Sequence, residues 1–173
     1  TQPVMTTFPR LSEFAGMKAA TYIKDGAKIA TGRLFKGMPM PAGELRHAIE
    51  RGEKEGLLLP QALHQLYAES IQGLGSGVGA RATMQLLGSF FSVSEQFNRE
   101  LTFVAAFKTA QGMTAEQLKA AGARDGAVVD DAYAFAKMVT EDTQFLYNKG
   151  NRPNFSRGLG APLFVFKMYS IQY

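Results

Sequence analysis

Few residues in this chain have the type and spacing that chemistry needs. Carboxylates stand side by side at Asp130/Asp131 and Glu141/Asp142, and paired carboxylates can serve as acid and base. Neighbours on a helix point in different directions, so these pairs read as helix caps and solvated charges. Cysteine is absent and histidine occurs only at His47 and His64. That excludes a thiol nucleophile, a disulfide framework and a histidine-rich metal site, while leaving carboxylate-only or mixed sites open. Gly75-Ser76-Gly77 lacks the GxSxG spacing of a nucleophile elbow. The run Gly73-Leu-Gly-Ser-Gly-Val-Gly79 could cradle a phosphate, but no Gly-Lys-Ser/Thr follows it. Gly75, Gly77 and Ala80 fit a relaxed dinucleotide fingerprint, yet the sequence before them reads as a helix where a strand is required. The run is expected to be a hinge at 73–80. No catalytic, metal-binding or cofactor-binding residue is assigned, and no cofactor is expected.

The elements that carry these groups read as helices. Ala82 to Gln111 is proline-free, and its apolar residues Met84, Leu87, Phe91, Phe97, Leu101, Val104 and Phe107 recur at helical spacing. Gln85, Ser89, Ser92, Gln96, Arg99 and Lys108 fall mostly on the opposite side, so the stretch is expected to be a helix with one core face and one wet face. On it, Glu95 and Arg99 stand at i,i+4 with the acid first, the favourable order. Together with Asn98 they form a candidate polar joint.

Before this helix, Thr1 to Arg10 contains Pro3 and Pro9 and is expected to be extended. Leu11 to Phe35 reads as one helix with Ser12 as N-cap. Lys18, Lys24, Lys28, Arg33 and Lys36 make it basic; they are either a solvated face or candidates for facing DNA or phosphates. Gly37 to Gly43 is a Gly/Pro loop, Glu44 to Gly52 a short helix that could run to Gly56, and Gln61 to Gln72 a further helix. After the central helix, Thr114 and Gln117 have capping-box spacing, predicting a helix over Ala115–Ala121 and a turn over Gly122–Gly126. Asp130 or Asp131 caps a helix over Asp131–Thr143, whose acidic end needs partners to offset the dipole. The segment from Phe145 to Gly160 is an irregular basic loop with Lys149, Arg152 and Arg157 as further candidates for facing phosphates. Ala161 to Tyr173 is apolar around most of its girth, and Phe164, Phe166 and Tyr169 are its candidate apolar contacts.

At 173 residues, with 46% hydrophobic and 20% charged residues, the chain can bury a real core and is no disordered tail. Its net charge of +4 allows an acidic partner without demanding one. The first residues do not have the pattern of a signal peptide, and no apolar run is long enough for a spanning helix. Both ends read as cuts, and the sequence is expected to be an excerpt of a longer polypeptide. The fold expected is all-α, an irregular array of about six helices with Gly/Pro-rich loops, with an extended arrangement open beside a compact one.

Three blocks, Phe90–Phe107, Asn151–Gly158 and Leu163–Ser170, resemble in order and spacing a segment of the very large polyvalent proteins of bacteriophages, which include internal virion, or ejection, proteins. The resemblance covers Ala82 to Tyr173 best and carries over no catalytic residue. It implies a structural segment in the virion, in the capsid interior or tail and then in the host cell envelope. That segment would assemble with itself as a homo-oligomer and with other virion and ejection proteins, and would help deliver the genome. Double-stranded DNA and the host envelope membrane are candidate partners. Two alternatives stand beside it: a co-injected DNA-binding or anti-restriction module, and a non-catalytic part of a giant virion enzyme such as a virion RNA polymerase.

Overall fold

A computed structural model describes residues 2–59 and 78–143, with side chains from Thr7 to Leu59, at Ser89, and from Ser92 to Thr143. The described residues are all-helical: α1 (Gln2–Ala15), α2 (Lys18–Lys36), α3 (Glu44–Lys54), α4 (Val78–Gln111), α5 (Ala115–Arg124) and α6 (Ala132–Thr143). The chain divides into two units. One holds residues 1–59 and 95–145, and the other residues 60–94 and 146–173. The side chains discussed below belong to the first. α4 is helical on both sides of the division, and begins at Val78 where the periodicity predicts a start at Ala82.

The first unit is built around the carboxy-terminal half of α4. Every residue from Arg99 to Ala110 except Lys108 is buried. Leu101, Val104 and Phe107 are buried as their spacing predicts, and Phe103, Ala105 and Ala106 on the other sides are buried with them. A helix buried all round needs neighbours all round, and α1, α2, α3 and α6 supply residues to the same core. Phe103 contacts the rings of Phe107 and Tyr133, and Phe14 of α1 meets Phe135 of α6 edge-on at 5.3 Å. Each fully buried large side chain contributes about 1.5–3 kcal/mol of transfer free energy.

The amino terminus corrects an expectation. Residues 2–15 are helical despite Pro3 and Pro9. Pro3 sits in the first turn, where its missing N–H has no helical partner to lose. Pro9 lies in the interior and removes one hydrogen bond, but the residues around it are held by the core. Leu11 is fully buried, and Thr7 hydrogen-bonds Thr102 of α4 through their hydroxyls at 3.1 Å. Ser12 does not cap a helix; its hydroxyl donates to the Pro9 carbonyl at 2.8 Å. The helix expected over Leu11–Phe35 is therefore two, separated at Gly16, whose φ of 55° no other residue adopts cheaply.

Elsewhere the local signals hold. The loop between Gly37 and Gly43, the Thr114/Gln117 capping box and the Asp131 cap, which accepts the Ala134 N–H at 2.7 Å, are all present. α3 and α5 end alike. In α3, Leu57 N–H donates to the Gly52 carbonyl at 2.9 Å and Gly56 N–H to that of Glu53, across Gly56 at φ 74°. In α5, Ala127 and Gly126 repeat the pattern onto Gly122 and Ala123, with Gly126 at φ 69°. Both are Schellman terminations, and the apolar residues that follow, Leu57 and Leu58 in one and Val129 in the other, turn into the core. The second pattern extends α5 to Arg124, past the expected start of the turn at Gly122.

Gly26 sits where α2 crosses α4. A Cβ built there would lie 2.5 Å from the Leu101 carbonyl oxygen, so the absence of a side chain sets the approach of the two helices. Gly26→Ala is expected to destabilise the fold by about 1–3 kcal/mol or more, because backbone must move, although alanine is the better helix former. Urea unfolding measures this; an unchanged midpoint would show that the two helices pack with room to spare.

Candidate functional site

Burial of the carboxy-terminal half of α4 leaves two charges, Arg99 and Glu100, inside the first unit. A lone buried charge is costly, so each needs a partner with good geometry. Glu100 has 1% of its side-chain surface exposed, and its Oε1 accepts from Arg33 Nη1 of α2 at 2.8 Å. The other terminal nitrogen of Arg33 donates to Glu53 of α3 at 2.7 Å. One guanidinium thus joins three helices. Burial pushes the Glu100 carboxyl above its ordinary value, and the Arg33 charge opposes this only in part. Burial also works against the charge on Arg33, but the Glu53 hydrogen bond and the Glu100 charge outweigh it and raise its pKa.

Arg99 corrects the wet-face expectation, for it is fully buried. Its Nε donates to Glu95 at 3.0 Å and its Nη1 to the Leu57 carbonyl at 3.0 Å. Its Nη2, 3.0 Å from the same Glu95 oxygen, lacks a hydrogen bond of its own among the described residues. Glu95 and Arg99 are therefore brought together as the spacing predicts. The joint they make is to the segment following α3, and Asn98 stands beside them half-buried.

Further ion pairs tie the outer helices. Glu55 accepts from Arg51 and from Lys137 of α6, both at 2.9 Å, and Arg51 lies 4.0 Å over the Tyr133 ring. The Lys137 and Arg51 hydrogen bonds hold the Glu55 carboxyl down to about 2. Burial and the neighbouring Glu55 push the Tyr133 hydroxyl up. Arg10 of α1 pairs with Asp125 and stands 3.7 Å from Asp142, supplying a partner for the acidic end of α6. Arg124 reaches Glu13 at 2.6 Å.

Of the residues expected to face phosphates, Arg33 is turned inward, 14% exposed and held by two carboxylates. Lys18, Lys24, Lys28 and Lys36 are exposed. Lys149, Arg152, Arg157, Phe164, Phe166 and Tyr169, together with His64 and 73–77 of the hinge, lie outside the described residues. One concavity forms on the basic helix. Gly32 packs so closely on the Pro-rich loop that a Cβ there would stand 2.9 Å from the Met38 sulfur. Beside this contact is an open groove of about 280 Å³ with Ile29, Met38, Pro39 and Pro41 among its apolar lining and Lys28 and Lys108 among its charges. Lys108 bonds Asp25 at 2.6 Å. The sequence carries no periodic signal for this groove, because a loop folding back creates it.

Among the described residues no group of His, Asp or Glu is arranged to hold a metal ion, and no helix is long and apolar enough to cross a membrane. Compared with protein-family models, curated proteins and solved structures, the chain matches none.

The buried and bridging charges make two expectations measurable. Arg33→Met leaves Glu100 buried without its cation and is expected to cost about 3–5 kcal/mol, the usual penalty for breaking a buried pair. Adding Glu100→Gln is expected to recover part of it, and strict additivity of the two changes in denaturant unfolding would show they do not interact. The second concerns acid. The folded pKa of Glu55 lies below its unfolded value, so its contribution is present above about pH 4.5 and is lost as pH falls toward 2. Raised Glu100 acts oppositely, stabilising below its unfolded value and losing that contribution as pH rises through its folded one. Lys137→Met with Arg51→Met should flatten the acid limb of a stability–pH profile; a limb of unchanged slope would contradict the assignment to Glu55.

Proposed function

We propose that this chain is a non-catalytic structural segment of a bacteriophage internal virion, or ejection, protein, which assembles with other virion proteins and helps carry the genome across the host envelope. The blocks at Phe90–Phe107, Asn151–Gly158 and Leu163–Ser170 support the reading through their resemblance to such proteins. The observation that carries it furthest is a segregation of charge. Residues 1–143 hold fifteen basic and fifteen acidic residues, whereas 144–173 hold four basic residues and no acidic one. The whole excess of positive charge lies in the last thirty residues, which are also rich in Phe, Leu and Tyr. Residues 1–143 are electrically balanced, and ion pairs between helices brace the first unit. The basic, apolar stretch is suited to phosphates of DNA or of a membrane surface.

A second reading, a co-injected DNA-binding module, is favoured by Lys18, Lys24, Lys28 and Lys36, which form no ion pair among the described residues.

Two experiments test the proposal. Immunoblots of purified particles from the strain that encodes the chain should find it before genome release and find it depleted afterwards; its absence from intact particles would sink the virion reading. In DNA binding, neutralising Lys149, Arg152 and Arg157 to Gln should flatten the salt dependence by roughly 0.9 for each phosphate left without its cation. Neutralising Lys24 and Lys28 should change it less. The reverse order would favour the DNA-binding module.

A further inference from the structure

The groove beside α2 has a chemistry that neither the ion-pair bracing nor the charge segregation uses. Ile29, Met38, Pro39 and Pro41 form its apolar lining, and Asp25 stands with Lys28, Arg33 and Lys108 among its charged lining. Met38 keeps 56% of its surface exposed, so part of this apolar lining faces outward. The surroundings are cationic. α2 carries five basic residues and one acid, Asp25. Asp25 already bonds Lys108, and Arg33 is neutralised by Glu53 and Glu100. Lys28 in the groove and Lys24 and Lys36 elsewhere on the same helix have no carboxylate within bonding range among the described residues. Pro39 and Pro41 fix their own φ, which lowers the entropy the loop has to lose on binding.

We propose that this groove is the docking site for an acidic peptide segment of a partner protein. An apolar side chain of that segment would enter between Ile29 and Met38, and neighbouring carboxylates would pair with Lys28 and Lys36. Charge complementarity selects this occupant. The chain's own segment 144–173 holds four cations and no carboxylate, and 60–77 holds one acid, Glu69; neither offers the run of negative charge that these lysines would attract. A duplex would be held by the lysines alone and gains nothing from an apolar groove. An acidic peptide with an apolar anchor uses both features, the anchor supplying burial and the charges supplying register and on-rate. This proposal does not depend on the virion reading.

The test uses the full chain carrying carbon-13 methyl methionine, observed by NMR during titration. The probes are a short synthetic peptide of Glu, Asp, Leu and Phe, the same peptide with Lys in place of its acids, and a short DNA duplex. The acidic peptide is expected to shift the Met38 methyl saturably, with Met17, which is 90% exposed on the α1–α2 turn, as internal control. Lys28→Glu with Lys36→Glu, both surface changes, should weaken that binding at least about tenfold, because each turns an attraction into a repulsion. Met38→Ala should weaken it while leaving DNA binding unchanged. The proposal is overturned if the lysine-substituted peptide binds equally well, or if Met38 does not respond. A shift of Met38 by the DNA duplex and none by the acidic peptide would also overturn it and make the surface a phosphate contact.

Discussion

The Glu100 carboxylate is the group on which the first unit most depends. It lies on the half of α4 that is buried all round, and it has almost no access to water. A charge in that position must either take up a proton or find a cation, and Arg33 of α2 reaches it. Because the same guanidinium also holds Glu53 of α3, α2, α3 and α4 are locked into one register. Arg99, one residue earlier, does the same for the segment after α3 by way of the Leu57 carbonyl. Replacing such groups by well-fitting apolar residues is often neutral in stability. Their consequence is specificity: a helix packing alone could slide by a turn, whereas one pinned through Arg33 and Arg99 cannot without stranding a charge.

Close backbone approach is the second constraint, and glycine makes it possible. Gly26 lets α2 press on the Leu101 carbonyl, and the Gly52/Gly56 and Gly122/Gly126 pairs end two helices in the same way. In propensity terms Gly26, Gly52 and Gly122 weaken the helices they lie in, whereas Gly56 and Gly126 stand just past helix ends where glycine is favoured. In the folded unit each marks a place where a side chain would collide or where φ must be positive. The outer ion pairs, Glu55 with Lys137 and Arg124 with Glu13, then bind the periphery. They are more exposed, and each contributes little alone.

Much of this is legible in the sequence, and the misses share a cause. Helix class, the capping box at Thr114, the Asp131 cap and the stripe Leu101, Val104, Phe107 depend on local spacing and read correctly. The amino terminus does not, because proline statistics describe an isolated chain. The burial of Leu11 in the core and of Thr7 against Thr102 of α4 overrides them. The break at Gly16 is signalled by a glycine following Phe14-Ala15, and is obscured by two further glycines in the same span. Arg99 reads as wet-faced because periodicity registers polar residues as outward. Only the Glu95 partner at i−4 points to a buried network. The Arg33–Glu100 pair spans 67 residues, and no local pattern announces it.

Native-state hydrogen exchange tests most directly whether the pinned half of α4 is the centre on which the unit stands. Amides of the described core stretch from Leu101 to Ala110 should exchange only through global unfolding, with opening free energies equal to the stability from denaturant titration. They should fall together when Arg33 is replaced by methionine. If these amides exchanged through local opening, or kept their protection in the Arg33 variant, the charge-pinned helix would not be the element on which the rest of the fold depends.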